Sequence, residues 1–454
     1  MRLHLIAIGG SAMHNMAIAL SLKGHTVTGS DDAIYEPSRT RLEKRNILPV
    51  HLGWFPDNIT PDIDAVILGM HARADNPELL RAQELNIKVY SYPEYIYEQS
   101  KNKTRLVIGG SHGKTTITSM ILHVLKSCHK DFDYLVGAQL EGFDTMVKLS
   151  DAPLIVIEGD EYLSSPIDRR PKFHLYQANI GIISGIAWDH INVFPTFENY
   201  VEQFKIFLKT IVSPGTIIYN QKDEVVKQLV ESSKEDLAKI PYKESENFTE
   251  NGITYLKIND QKIPLEIFGK HNLQNLEAAH QACSALGISD TEFYNSIQTF
   301  KGASKRLELL GKNSDTAVYK DFAHSPSKLR ATIEAVKEQY PHRELVAVME
   351  LHTFSSLNKD FLTEYRGCMD AADTAVVFIN RRTFEQKKME MYTEKEVKTA
   401  FDNDKLIFFN ESEILVEFLS YINYKSKNLL LMSSGDFGGI NLQTLADKAL
   451  AHEA

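Results

Sequence analysis

Leu106-Val107-Ile108-Gly109-Gly110-Ser111-His112-Gly113-Lys114-Thr115-Thr116 runs into a helical pattern from Ile117 to Leu125. An apolar strand, a glycine loop and a helix therefore follow one another in that order. Glycines let backbone N–H groups approach phosphate oxygens, and the helix N-terminus adds partial positive charge. Lys114 can reach β- and γ-phosphates, and the Thr115 hydroxyl can ligate Mg²⁺. The stretch reads as a nucleoside triphosphate site made of Gly110, Ser111, His112, Gly113, Lys114, Thr115 and Thr116. The common phosphate loop has a glycine five residues before its second glycine; this chain has Ile108 there, so its loop is shorter. A glycine turn that merely precedes Lys-Thr is the bland alternative. The loop alone leaves motor, kinase and GTPase readings open.

Upstream of this loop, short apolar runs alternate with amphipathic stretches: Leu3 to Ile8, Ala12 to Leu22, His25 to Ser30, Ala65 to Leu68 and Pro77 to Leu85. That is a βαβ rhythm and predicts a parallel sheet. The polar stretch Gln99-Ser100-Lys101-Asn102-Lys103 breaks it. Downstream, strands are expected at Leu154 to Ile157, Ile180 to Ser184 and Thr216 to Tyr219. Thr254 to Ile258 and Lys262 to Phe268 then flank Asn259-Asp260 as a hairpin, since both turn residues tolerate positive φ. A third series begins near Arg306, with strands at Ala317 to Tyr319, Leu345 to Met349, Ala375 to Ile379 and Leu429 to Met432. The expected fold is α/β in three domains. Residues 1–102 form a Rossmann-like domain, 103–302 a P-loop ATPase-like domain with a parallel sheet and a small antiparallel element, and 303–454 a second Rossmann-like domain.

The length of 454 residues agrees with about three domains. A net charge of −10 argues against sequence-independent nucleic-acid binding, which needs clustered Lys and Arg on phosphates. Cys128, Cys283 and Cys368 are far apart and lack metal-site spacing, so neither a disulfide frame nor structural zinc is expected. No apolar run approaches the roughly 18 residues of a membrane span, and the chain is placed in the cytoplasm.

Glu158-Gly159-Asp160-Glu161-Tyr162 follows an apolar strand, at the end where ligand sites of open α/β sheets collect. Hard oxygen ligands there suit Mg²⁺; a solvated acidic loop is the alternative. His190 follows another strand beside Asp189, which could orient its ring. A structural histidine would look the same. At the amino terminus Gly9-Gly10-Ser11-Ala12-Met13-His14 leads from a strand into a helix, with Asp31 about twenty residues on. This imitates a dinucleotide fingerprint without its G-x-G-x-x-G form, so an NAD dehydrogenase is a runner-up. Asp31 could equally be a turn residue.

Gly110 to Thr116 resembles the short ATP loop of the Mur ligases and the related folylpolyglutamate synthetases. Other segments match that family in order: Glu158 to Tyr162, Asp189-His190, Gly269-Lys270-His271-Asn272-Leu273-Gln274-Asn275-Leu276-Glu277-Ala278-Ala279, Lys305-Arg306-Leu307-Glu308, and Asp321-Phe322-Ala323-His324-Ser325-Pro326. The resemblance implies ATP and Mg²⁺ as cofactors, with Lys114, Glu158 and His190 catalytic and Thr115, Glu158 and His190 at the metal. It implies that His271, Asn272 and Asn275 meet the adenine side, where helix capping is the alternative. Arg306 would reach the nucleotide from the third domain, Asp321 would accept from ribose hydroxyls, and His324 would line the nucleotide pocket or close an Asp-x-x-His turn. Arg306, Asp321 and Lys114 lie on different expected domains, so the reaction would require domain closure.

In the resembled family the first module holds a UDP-sugar. Ser11, Ala12 and Met13 would present N–H groups to its diphosphate, and Asp31 and His71 would meet the uridine side. Ser184, Ala187 and Asn192 stand where relatives carry Asn, Glu and Asp. Lys205 is a candidate for carbamylation by position only. The start of the chain points to the family members that use UDP-N-acetylmuramate itself, one adding L-alanine and a recycling branch adding the tripeptide L-alanyl-γ-D-glutamyl-meso-diaminopimelate. Glu158 to Tyr162 and the ending Ser433-Ser434-Gly435-Asp436-Phe437-Gly438-Gly439-Ile440 resemble the recycling branch. Glu350 to Ser356 is expected to face the amine acceptor, or to be an ordinary βα loop. No protein partner is implied. Folylpolyglutamate synthesis and a non-catalytic ATP-binding relative are the remaining alternatives.

Overall fold

The structure is a computed structural model describing all residues except 189–192, 251, 260, 304–305, 354, 383, 385–390 and 452–454. The chain folds as two compact units, residues 1–243 with 274–297, and residues 244–273 with 298–454.

The first unit carries two sheets. In the amino-terminal one, four parallel strands lie in the order Thr26–Ser30, Arg2–Ile6, Ala65–Leu68, Lys88–Ser91. The chain leaves the strand Arg2–Ile6 in one direction and returns on its other side. A crevice is thereby created at the carboxyl ends of Arg2–Ile6 and Ala65–Leu68, the switch point where ligands of such sheets bind. The helix Ser11–Leu22 starts there and has every residue from Met13 to Leu20 buried. An all-round apolar helix is a buried one, which explains its weak amphipathic signal.

The second sheet has seven strands in the order Leu237–Tyr242, Gly215–Asn220, Ile180–Ile183, Thr104–Gly109, Leu154–Glu158, Asp133–Leu135, Val147–Lys148, with only the last pairing antiparallel. Thr104–Gly109 is flanked on both sides, so its following loop occupies the switch point of this sheet. The helix Lys114–Ser127 rises from that loop. Ile117, Met120, Ile121 and Val124 are fully buried beneath it, each contributing about 1.5–3 kcal/mol of apolar burial that anchors the loop's end.

The second unit holds a three-stranded antiparallel sheet, Asn247–Glu250, Ile253–Ile258, Gln261–Leu265, and a six-stranded sheet. The expected hairpin is present, with Asn259 at φ +47°. Its second strand ends at Leu265, because Ile267 and Phe268 turn inward and are buried, Phe268 edge-on to Tyr319. The six-stranded order is Glu308–Lys312, Ala317–Asp321, Lys427–Met432, Glu344–Glu350, Thr374–Phe378, Ile407–Phe409; the first pairs antiparallel and the rest are parallel. The four expected strands are its centre. Glu308–Lys312 and Asn247–Glu250 lacked a sequence signal because they mix polar and apolar residues, and the apolar edge strand Ile407–Phe409 is only three residues long. The α/β class with several mostly parallel sheets is thus the observed one. Among the described residues no helix is long and apolar enough to cross a membrane.

Candidate functional site

Within the first unit, the sequence-predicted residues of the phosphate loop and the acidic segment come together because their strands are neighbours, Ile108 lying opposite Glu158 in parallel register. The Thr115 hydroxyl donates to Glu158 Oε1 at 2.8 Å, and Gly137 N–H donates to Glu158 Oε2 at 2.8 Å. Glu158 and Thr115 are both buried, with 9% exposure. A paired carboxylate and hydroxyl, hard oxygen donors beside a phosphate loop, fit Mg²⁺. His190, the third expected metal residue, lies outside the described residues, as do Asp189 and Asn192. No cluster of three or more His, Cys, Asp or Glu is found among the described residues.

Lys114 Nζ donates to Glu161 Oε2 at 2.7 Å and to Gly110 O at 2.6 Å. Burial alone would pull its pKa down. Glu161, Asp160 and Glu158 outweigh that, holding the ammonium above its usual value. Asp160 is the mirror case. Burial would raise its carboxyl, but Lys172 and Lys114 hold it down at about 2, against 3.8 for an ordinary aspartate.

A depressed acid stabilises the folded state above its unfolded pKa and loses that contribution as pH falls. Asp160 therefore contributes fully above about pH 4 and progressively less down to about pH 2. Lys172→Met should flatten the pH dependence of unfolding in that window and leave the shape above pH 5 unchanged; urea titrations from pH 2 to 6 read this directly.

The loop's shape depends on two glycines. Gly110, at φ +132°, lies so close to Ser184 that a Cβ would sit 2.1 Å from its Oγ. Gly113 has φ +80°, and a Cβ there would meet Asn275 Oδ1 at 2.4 Å. Asn275 is thereby packed onto the phosphate loop. The departures at Ser184 and Ala187 also have places: the Ser184 hydroxyl donates to the His112 carbonyl, and Ala187 N–H donates to Ser111 Oγ at 2.8 Å. Both brace the loop from below. Lys205 is exposed on the helix Phe197–Thr210 and pairs with Glu202 at 3.4 Å.

At the amino-terminal switch point, Ser11 and Ala12 are exposed on the first turn of their helix, Met13 is buried, and the His71 ring is 3.8 Å from where a Gly10 Cβ would be. Asp31 is 8% exposed and accepts from Gly9 N–H at 2.7 Å, and burial raises its carboxyl despite that bond. It fastens the glycine turn itself.

In the second unit, Asp321 Oδ2 accepts from Leu307 N–H and Oδ1 from Ala323 N–H, both at 2.6 Å; burial pushes its carboxyl up against the pull of Arg306. Its first task is to hold the Arg306-Leu307 turn. The Arg306 guanidinium lies over the Phe322 ring at 5.0 Å, and His324 Nδ1 bonds the Phe322 carbonyl at 2.8 Å. Asn272 Nδ2 donates to Phe268 O at 2.9 Å, tying the start of the helix Lys270–Ala285 to the segment before it, and His271 is half-buried beside it. At the neighbouring strand ends, Glu350 is buried and accepts from the Ser433 hydroxyl and from Phe437 N–H at 2.9 Å, with His352 Nδ1 3.8 Å from its second oxygen. This tie joins the segment after Glu344–Glu350 to the carboxyl-terminal glycine turn, and no spacing in the sequence announced it.

Known proteins resemble this chain along most of its length. Residues 2–104 match the profile described as Mur ligase family, catalytic domain, 108–283 the Mur ligase middle domain, and 305–435 the Mur ligase glutamate ligase domain. A UDP-N-acetylmuramate–L-alanine ligase of Caldicellulosiruptor bescii is 31% identical over 385 residues, 82% of each chain. The UDP-N-acetylmuramate–L-alanyl-γ-D-glutamyl-meso-2,6-diaminoheptandioate ligase of Escherichia coli is 27% identical over the full length of both chains. Among solved structures, a murein peptide ligase from Psychrobacter arcticus superposes with a TM-score of 0.64 at 22% identity, covering 100% of both chains. The alanine ligase MurC from Thermotoga maritima gives 0.71 at 19% identity, covering 99% and 98%. The structural likenesses bear on the fold.

Proposed function

From the premise that this chain belongs to the Mur ligase family, ATP-dependent enzymes that form C–N bonds, we propose that it joins UDP-N-acetylmuramate to L-alanyl-γ-D-glutamyl-meso-diaminopimelate. The observation that carries the chemistry is the convergence of Lys114, Thr115 and Glu158 on one loop at a sheet's switch point. A carboxylate is a poor acyl donor. Transfer of the γ-phosphoryl group of ATP to the muramyl carboxylate gives an acyl phosphate and ADP. The acceptor's uncharged amine then adds to the carbonyl carbon, and the tetrahedral intermediate gives up the nitrogen's extra proton and expels phosphate, which takes that proton up, leaving the amide.

Lys114 offsets charge on the transferring phosphoryl group, as cationic groups do in such reactions. Thr115 and Glu158, with His190 as a further expected ligand, would hold Mg²⁺, which would supply charge neutralisation for phosphoryl transfer. The first-turn N–H groups of Ser11, Ala12 and Met13 receive the sugar-nucleotide diphosphate, with His71 at the same crevice and Asp31 fastening its turn. Asn275, packed on the phosphate loop, is assigned to the nucleotide, and for Arg306, Asp321, His324, His271 and Asn272 that role rests on the family resemblance alone. Residues 1–102, 103–302 and 303–454 are the three functional divisions, and Glu350 to Ser356 faces the acceptor.

Two features support the tripeptide: the Escherichia coli relative named for it matches from end to end, and the ending Ser433 to Ile440 resembles that of the recycling branch. L-alanine is the second reading, favoured by the 31% identity of relatives named for it. Phosphate release from Mg-ATP with UDP-N-acetylmuramate separates them. Tripeptide-dependent release is expected, at a rate at least about tenfold above that with L-alanine at equal concentration. Alanine-dependent release would replace the first reading by the second, and release with neither would end both.

A further inference from the structure

Glu161 takes no part in the chemistry set out above, yet it is 1% exposed and each of its oxygens accepts a hydrogen bond from a side chain. Oε2 accepts from the Lys114 ammonium at 2.7 Å, and Oε1 accepts from the Tyr200 hydroxyl at 3.0 Å. Tyr200 is fully buried in the helix Phe197–Thr210, wedged among Phe194 and Phe204 with ring centroids 5.4 and 5.2 Å away. A buried carboxylate is retained only where its lone pairs are satisfied by charge or hydrogen bonds. Here both partners lead towards the phosphate loop or away from it into a rigid aromatic core.

We infer that Glu161, itself held by Tyr200, is a positioning residue for Lys114, the counter-ion that fixes the ammonium in place before nucleotide arrives. An ammonium has three N–H donors. Two go to Glu161 and Gly110 O, and a third can meet a phosphate oxygen while the pair stays intact. Holding that donor in place lowers the reorganisation needed when charge moves onto the transferring group. The same carboxylate opposes the binding of polyanionic ATP, since its negative charge lies 2.7 Å from the cation that receives the phosphates. Glu161 therefore trades nucleotide affinity for a fixed lysine. The helix that carries Tyr200 begins just beyond Asp189-His190 in the chain, so the same element succeeds the expected second metal segment.

The inference rests on Lys114 meeting ATP, as proposed above, and its test reads the nucleotide separately from the acceptor. Full-length protein and its Glu161→Gln and Tyr200→Phe variants are compared by calorimetric titration with Mg-ATP and by steady-state turnover. Glu161→Gln should bind Mg-ATP about fivefold more tightly while turning over about fiftyfold more slowly, a split between affinity and rate that loss of folding would not produce. Tyr200→Phe keeps the carboxylate, so its affinity should stay within about twofold while turnover falls about fivefold. In a Lys114→Ala background, Glu161→Gln should shift Mg-ATP affinity by less than about twofold, because the group it acts through is gone. An equal shift with and without Lys114, or wild-type rates in both variants, overturns the inference. If the unaltered protein binds Mg-ATP but turns over with neither amine, only the acceptor reading fails, and the affinity measurements still decide for or against Glu161.

Discussion

Lys114→Ala should lower turnover by about a thousandfold, as the loss of a preorganised cationic contact to a charge-developing group does elsewhere. The structure adds a second expectation. Removing the ammonium leaves Glu161, 1% exposed, with Tyr200 and without its counter-ion. Breaking one side of a buried pair costs about 3–5 kcal/mol in general; Lys114 keeps 15% exposure, so the lower end, about 3 kcal/mol, applies. The single variant should therefore unfold at lower urea than wild type. Lys114→Ala combined with Glu161→Gln should recover most of that stability, since the uncompensated charge is gone, and none of the turnover. Urea titration together with ATP-dependent phosphate release measures both. Unaltered turnover in Lys114→Ala would remove the ATP assignment, and equal stability of single and double variants would remove the buried-pair argument.

Gly113→Ala is the second large effect. The backbone at φ +80° is costly for any residue with a Cβ, by about 1–2 kcal/mol. The added carbon would also stand 2.4 Å from Asn275 Oδ1, well inside contact distance. Either Asn275 rotates away or the loop shifts, and both outcomes move the N–H groups that begin the helix Lys114–Ser127. Mg-ATP affinity should fall by about a hundredfold or more, because several hydrogen bonds to one ligand are displaced together. Adding Asn275→Ala should restore part of the thermal stability, since it removes the steric partner, while affinity stays low, since the φ strain persists. Calorimetric titration and thermal unfolding of the single and double variants separate the two causes. Wild-type affinity in Gly113→Ala would mean that this loop does not hold phosphate.

Much of the site was legible in the sequence because its signals are local. The strand, glycines, lysine and helix of residues 106–125 are consecutive, and each element is announced by its own periodicity or backbone tolerance. The central strands of both larger sheets were legible for the same reason: buried parallel strands are short continuous apolar runs. Glu308–Lys312 was not, since it mixes polar and apolar residues as an edge strand can, and Ile407–Phe409, though apolar, is only a three-residue strand. Asp31 stood out as a carboxylate after a strand and Asp321 only through the family resemblance, and nothing local told a ligand contact from a brace on Gly9 or on Leu307. The Glu350 tie to Ser433 and Phe437 spans more than eighty residues of chain and has no local trace.

By itself the sequence determined that this is a multi-domain α/β chain with a phosphate loop followed by an acidic strand end, because helix and strand periods, positive-φ glycines and strand-to-loop order are properties of neighbouring residues. Only the tertiary structure decided which side chains meet: Glu161 and Tyr200 with Lys114, Glu158 with Thr115, Asn275 against Gly113, Ser184 beneath the loop. Those partners are brought together by the order of strands in a crossed-over parallel sheet. That order is set by which apolar faces can be buried at once, a global packing condition that no single stretch of the chain records.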